Sequence, residues 1–261
     1  MDVSEAIDRA RLLQDQGRPD EALQILLSAA QEHDDEDLRA EIALFYAERG
    51  WQRGDEGALA DFREAAAWGE CPLALAGEAA LRAGRGEHEE AGRLLERALE
   101  LDPELPQAHF WRGRIHWTRG AHAAALEAFS RAAELRPGFG AAHAWRARAL
   151  AALGRREEAH QALLEGLRHC PYEAELYEEL GSHFAAGEDR ARARKALRRA
   201  VEIDRNRRSA WLALAGAAAR EGDELEMTRA LDAAAALDRE ATLEWVRKEA
   251  PGNPLLKTYL Q

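Results

Sequence analysis

Residues 106–139 read PQAHFWRGRIHWTRGAHAAALEAFSRAAELRPGF, and residues 140–173 read GAAHAWRARALAALGRREEAHQALLEGLRHCPYE. Laid over each other at an offset of 34, they place His109 on His143, Gly113 on Ala147, and Ala125 on Ala159. The same offset places Phe129 on Leu163, Ala132 on Gly166, and Pro137 on Pro171. Self-similarity at a period of 20 to 50 residues is the mark of a repeat architecture, in which each unit is one supersecondary element.

The columns run outward in both directions. The ring column continues through Tyr177, Trp211 and Trp245, and the small residue four later through Gly181 and Ala215, until Glu249 breaks it. A second small column reads Ala91, Ala125, Ala159 and Ala193, followed four residues on by Leu95, Phe129, Leu163, Leu197 and Leu231. Three further on lie Ala98, Ala132, Gly166, Ala200 and Ala234, and Pro103, Pro137 and Pro171 close three units. Apolar spacings of three and four over 12 to 15 residues predict amphipathic helices. Gly86, Gly120, Gly154 and Gly222 stand at the unit midpoints, where a helix ends and a turn follows, and Gly187 comes one residue early. The small columns let helices approach closely while the bulky column fills the space between them. A proline ends the second helix because it cannot continue one.

Over residues 72–241 this order of ring, small, small, bulky, small and proline resembles the tetratricopeptide repeat family. Two further units are placed upstream. Ala10, Gly17, Ala22, Leu26 and Ala29 mark the first, and Ala58, Phe62 and Ala65 the second. The second departs from the pattern: Tyr46 stands where a small residue is expected, and its turn is displaced to Arg53 and Gly54. In the seventh, Met227 replaces an expected alanine. The resemblance implies an all-α, right-handed α-solenoid of antiparallel helix hairpins. Its seven repeats would be 3–37, 38–71, 72–105, 106–139, 140–173, 174–207 and 208–241, with a capping helix at 242–250 and a tail at 251–261. No linker interrupts the pattern, so a single domain over 1–261 is expected. The tail, ending LLKTYLQ, is apolar enough to dock.

Composition narrows the function. The chain of 261 residues is 46% hydrophobic and 32% charged, which suits a globular chain and neither a disordered nor a membrane-embedded one. Its opening MDVSEAIDRARLL has acids and no apolar core, unlike a signal peptide. Cys71 and Cys170 form no disulfide framework, and a cytoplasmic setting is expected. The net charge of −12 is uneven: residues 1–100 carry 24 acids and 11 bases, residues 101–200 carry 13 and 16. Such asymmetry bears on partners, not on fold.

No phosphate-binding loop and no nucleophile elbow occur, and no strand is predicted to carry either, so no enzyme activity and no cofactor are expected. His109 and His116 are two helical turns apart, about 10 Å, too far to share a metal ion, while His109 and His143, in the ring column, read as packed rings. The run RARARKALRRAVEIDRNRR at 190–208 holds nine bases, but Glu202 and Asp204 interleave, so it reads as a solvated face and nucleic acid is not the expected partner.

The family geometry lines a concave groove with one stripe of each first helix. In the fourth unit that stripe is Phe110, Arg114 and Trp117, between the shallower Ala76, Ala80, Ala83 and Ala144, Arg148, Ala151. In the sixth it is Glu178, Ser182 and Ala185, with Glu175 nearby. The resemblance therefore implies a non-catalytic scaffold or adaptor holding a peptide or partner protein at Phe110, Arg114, Trp117, Arg148, Glu175 and Glu178. It also admits a regulatory subunit that controls a partner enzyme. The carboxylate clamp of co-chaperone members is not available: the only asparagines are Asn206 and Asn253, and the only lysines Lys195, Lys248 and Lys257.

One outcome follows from the cysteine and histidine spacing. Protein never exposed to a metal-affinity column should retain no stoichiometric zinc after dialysis against a mild chelator; atomic absorption near one zinc per chain would contradict the reading.

Overall fold

The structure, a computed structural model, describes residues 1–54 and 57–259. Asp55 and Glu56, in the second predicted repeat, and Leu260 and Gln261, in the tail, lie outside the described residues. Among the described residues the fold is all-helical, of the helical-repeat solenoid class.

Seven helices form a compact unit over Met1–Ala121. They are α1 (Val3–Asp15), α2 (Pro19–Glu32), α3 (Glu36–Arg53), α4 (Ala58–Trp68), α5 (Pro72–Gly84), α6 (His88–Leu101) and α7 (Pro106–Thr118). The second unit, His122–Gln261, begins with α8 (His122–Leu135), α9 (Gly140–Ala152), α10 (Arg156–His169), α11 (Ala174–Ala186) and α12 (Arg190–Ile203). It continues with α13 (Arg208–Glu221), α14 (Glu224–Leu237), α15 (Arg239–Glu249) and the short α16 (Pro254–Thr258). The division falls at the turn after α7, where the sequence carries no linker. In each unit a helix packs on the helices before and after it, and first helices also touch: α3 with α5 and α5 with α7, then α9 with α11 and α11 with α13.

The alanine and leucine columns are the core. Ala91, Leu95 and Ala98 of α6 are buried, as are Ala159 and Leu163 of α10, and Ala193, Leu197 and Ala200 of α12. Truncating one of these leucines to alanine would cost about 2–5 kcal/mol, because the transfer loss and the cavity add. Met227 is fully buried in α14, so the larger side chain fills the place of the expected alanine.

The second repeat shows why its pattern is displaced. Helix α3 is 18 residues long and ends at Gly54, which takes the left-handed conformation at φ 63°. Its small face is Ala43, Ala47 and Gly50, so the small residue expected at position 46 stands one residue later, at Ala47. The ring of Phe62 fills that face. A Cβ on Gly50 would come within 2.6 Å of it, and one on Gly77 of α5 closer still. Tyr46 lies beside this packing, under the guanidinium of Arg49 at 5.0 Å. Arg49 and Arg53 both pair with Asp61, which is 2% exposed. A carboxylate buried this deeply requires such partners.

The C-terminal end is built from residues that the repeat pattern does not describe. Helix α15 starts at Arg239, three residues ahead of the expected 242, because the Asp238 side chain accepts from Ala241 N at 3.0 Å and caps it. The tail docks on its own unit: Leu256 is buried in the cluster with Met227, Leu231 and Val246, and Tyr259 Oη donates to Asp232 at 2.8 Å. Burial, and the hydrogen bond given to Asp232, push the Tyr259 phenol up to about 12.

The turns hold one local conflict. Gly86, Gly120, Gly154 and Gly222 take φ of 82°, 73°, 75° and 79°, and the corresponding residue of the sixth unit is Glu188, at φ 61°. Gly187 one position earlier has an ordinary φ of −91° and serves a different purpose. The guanidinium of Arg156 occupies the space where its Cβ would stand, and donates to Ala186 O at 3.1 Å and His183 O at 3.0 Å, satisfying the end of α11. Glu188→Gly should therefore stabilise the protein by about 1 kcal/mol, the left-handed penalty less the entropy of glycine. Urea denaturation with an unchanged m-value checks it; a lower midpoint would contradict the strain.

Candidate partner-binding faces

The ring column proves to be a column of donors. His109 Nε2 lies 2.9 Å from Pro103 O, and His143 Nε2 lies 2.9 Å from Pro137 O. Tyr177 Oη donates to Pro171 O at 3.2 Å, and Trp211 Nε1 to Arg205 O at 2.8 Å. The first helices α7, α9, α11 and α13 are thus tied to the carbonyl six residues back, which closes the preceding repeat. A carbonyl only accepts, so both histidines carry their proton on Nε2. His109 Nδ1 then accepts from Arg112 at 3.0 Å. The spacing read these histidines as packed rings; what they share with tyrosine and tryptophan is also a polar hydrogen, and the absence of phenylalanine from the column was the available sign.

In the first unit the predicted stripe lies on α7. Phe110 is only 6% exposed, its ring edge-on to Trp111 at 5.7 Å and 84°. It is a packed ring, which corrects the reading of it as an open wall of a groove. Arg114 sits over Trp111 at 5.2 Å and near Phe110 at 6.0 Å, so its guanidinium is held on aromatic faces. Trp117 is half-buried. Of the alanine row on α5, Ala76 and Ala80 are buried and Ala83 half-buried.

In the second unit the predicted charges are already engaged with one another. Arg148 of α9 pairs with Glu179 of α11, and its guanidinium stacks over Trp145 at 4.1 Å. Glu178 accepts from Arg207 and from Ser209 Oγ, the latter at 3.0 Å, while Glu175 lies 3.5 Å from Arg207. Burial pushes the Glu175 carboxyl up despite Arg207. A free carboxylate awaiting a basic ligand at Glu178, and a free arginine at Arg148, are therefore not what the structure holds. The first helices instead share a ladder of ion pairs, α9 to α11 to α13.

The sequence reading placed Glu179 beside Glu178 as free negative charge and missed the pairing of Glu179 with Arg148 and of Glu178 with Arg207 and Ser209, though a signal existed. Opposite charges recur at an offset of 28 to 31: Arg148 with Glu179, Glu178 with Arg207, Arg194 with Asp223, and Arg198 with Glu226, as Arg11 does with Glu41 in the first unit. The offset is one repeat less about one helical turn, the reach of an arginine across neighbouring helices. The basic run on α12 is largely spent this way. Arg194 meets Glu221 and Asp223 at 3.0 Å each, and Arg199 meets Glu202 at 3.1 Å.

Among the described residues no group of three or more His, Cys, Asp or Glu side chains could hold a metal ion. His160 and His183 are stacked at 5.1 Å and 21°, an arrangement that turns their faces, not their lone pairs, toward each other. Both cysteines are free thiols, each pushed up by burial.

These hairpins, with a ring donor, two small faces and a bulky filler per 34 residues, define a helical-hairpin repeat protein. Residues 74–138 and 116–175 each match a tetratricopeptide repeat family model, so tetratricopeptide repeats occupy that part of the chain. No curated protein matches the sequence. A thermophilic tetratricopeptide protein of Thermus thermophilus is similar in structure at a TM-score of 0.61 and 21% identity, over 68% of this chain and 98% of that one. Pseudomonas aeruginosa pilF is similar at 0.58 and 21%, over 72% and 96%. Yeast Tom70 is similar at 0.60 and 17%; the match covers 94% of this chain but only 62% of Tom70. At these identities the likeness is one of fold.

The donor column gives a pH dependence. His143 is almost fully buried, its Nδ1 has no hydrogen-bond partner among the described residues, and burial holds its pKa below the ordinary value, opposed by the Pro137 hydrogen bond. Below about pH 6.5 the unfolded chain takes a proton there that the folded chain refuses, so this stability is present above pH 6.5 and lost as pH falls. His143→Gln keeps an N–H donor and removes the titration. Its melting temperature should fall closer to, or above, that of the wild type between about pH 7.5 and 5.5; an unchanged difference would exclude His143 as the cause.

Proposed function

We propose that this protein is a non-catalytic interaction scaffold or adaptor that holds a peptide or partner protein on the faces of its first helices. The observation that carries this reading is the ladder Arg148–Glu179 and Glu178–Arg207–Ser209, which fixes long charged side chains along α9, α11 and the start of α13. A partner that offers its own carboxylates and cations can exchange with these pairs at small net electrostatic cost, which favours selectivity over raw affinity. On the first unit, α7 offers Trp117 with Arg114 held beside it on aromatic faces. A rigid aromatic next to an arginine has the composition of an interface anchor.

A scaffold of this kind also suits a regulatory subunit, and the two are separated by whether the captured partner changes activity. The pairing of α12 arginines with Glu202, Glu221, Asp223 and Glu226 weighs against nucleic acid. No helix among the described residues is long and apolar enough to cross a membrane. The free thiols support a reducing compartment such as the cytoplasm.

Affinity capture followed by mass spectrometry tests the proposal. It should return a stoichiometric protein with the wild type, and Trp117→Ala should weaken that complex by about 2 kcal/mol or more. Trp211→Ala, which loses the bond to Arg205 O, should instead lower the melting temperature, costing about 3–5 kcal/mol of stability. Normal capture by Trp117→Ala would remove α7 from the site.

A further inference from the structure

A recess recurs between the two helices of successive hairpins in the second unit, and in one hairpin its chemistry is inverted. At the α9/α10 hairpin the recess is about 300 Å³, walled also by Leu126 and Ser130 of α8, and Arg146 on its wall crosses from α9 to α10 to pair with Glu165. In the α11/α12 hairpin the residues 34 later are Leu180 and Arg199. The crossing pair is gone, and the recess opens to about 480 Å³.

Its two walls differ in kind. Along α11 run Tyr177, Leu180 and Phe184, at spacings of three and four; along α12 run Arg192, Lys195 and Arg199, at the same spacings and all exposed, with Arg198 and Glu202 beside them. Arg192 meets Asp189 at 3.3 Å and Arg199 meets Glu202 at 3.1 Å, both exposed pairs within one helix turn that a ligand carboxylate can replace at small cost. Arg192 lies 5.7 Å from the Phe184 ring, over the apolar floor. Lys195 has no ion pair among the described residues. At the equivalent α10 positions stand Glu158, Gln161 and Glu165, so the wall changes from acidic to basic within one repeat of a chain whose net charge is −12.

We propose that this trench is a docking site for a short acidic peptide segment of a partner protein, one that places an aromatic or aliphatic side chain on Tyr177, Leu180 and Phe184 and flanking carboxylates on Arg192, Lys195 and Arg199. The apolar floor requires a hydrophobic side chain, and the cationic wall requires anions at a spacing that Asp or Glu beside it supplies. A nucleic acid is disfavoured, because Arg194 and Arg198 of the same helix are tied to Glu221, Asp223 and Glu226 and cannot continue a phosphate track. The trench uses a different stripe of α11 from Glu178, so it can hold or fail independently of the first-helix ladder.

The probe is a fluorescein-labelled peptide, Glu-Glu-Asp-Phe-Leu-Asp-Glu-Glu, followed by fluorescence anisotropy with the full chain. Two variants test the walls. Arg192→Glu with Lys195→Glu reverses exposed charge only. Leu180→Arg with Arg199→Glu transplants the crossing pair of the neighbouring hairpin, whose structure shows that the fold accommodates it. Each should weaken binding by about tenfold or more, while Arg190→Glu, exposed on α12 but outside the trench, should change it less than about twofold. Circular dichroism melts of each variant separate lost binding from lost folding. The proposal is overturned if the folded wild type does not bind the probe at about 1 mM, or if the transplanted pair binds as the wild type does. It is equally overturned if a peptide with serine in place of Phe and Leu binds as well. Sedimentation with phosphatidylserine vesicles, or a shift with single-stranded DNA, in place of peptide binding would assign the cations to those partners instead.

Discussion

The hydrogen bond from a ring donor to the carbonyl six residues back is the constraint on which the geometry of the fourth to seventh repeats depends. It joins His109 to Pro103, His143 to Pro137, Tyr177 to Pro171 and Trp211 to Arg205. Each bond satisfies a carbonyl left over where one repeat ends, and fixes the angle at which the next first helix departs. Individually such a bond is worth about 1 kcal/mol. Repetition makes it structural, because an error in one departure angle would be carried into every later contact of that unit.

Once departure is fixed, the small columns set how closely helices approach, and the ion pairs follow. Arginine reaches about one turn back onto the next helix, which is why its partners recur at offsets of 28 to 31 and not at 34. The same reach explains why a strongly charged chain of this kind presents few uncommitted charges on its first helices. Glu178 and Arg148, which invite a ligand when read singly, are two rungs of one ladder.

Departures from the pattern mark the places where the protein does something particular. Glu188 accepts a left-handed backbone because Gly187 was needed one residue earlier to admit Arg156. Leu180 and Arg199 stand where Arg146 and Glu165 pair one repeat before, and the recess widens from about 300 to about 480 Å³. In a repeat protein the neighbouring units serve as internal references, so each substitution can be compared with its equivalent in an almost identical backbone.

The sequence by itself determined the 34-residue period, the helix hairpins, the buried alanine and leucine columns and the positions of most turns. All of these are fixed by local spacing and by steric rules that act within a few turns of chain. It did not determine which polar residues meet. Phe110 was legible as an aromatic, with packing and a groove role equally open, and Glu178 as an acid but not as the partner of Arg207 and Ser209. The docking of Leu256 and Tyr259 on α14 was equally out of reach, since the tail carries no repeat pattern. Those outcomes depend on the rotation and height of one helix against the next, quantities set jointly by many side chains in three dimensions, which no single stretch of sequence encodes.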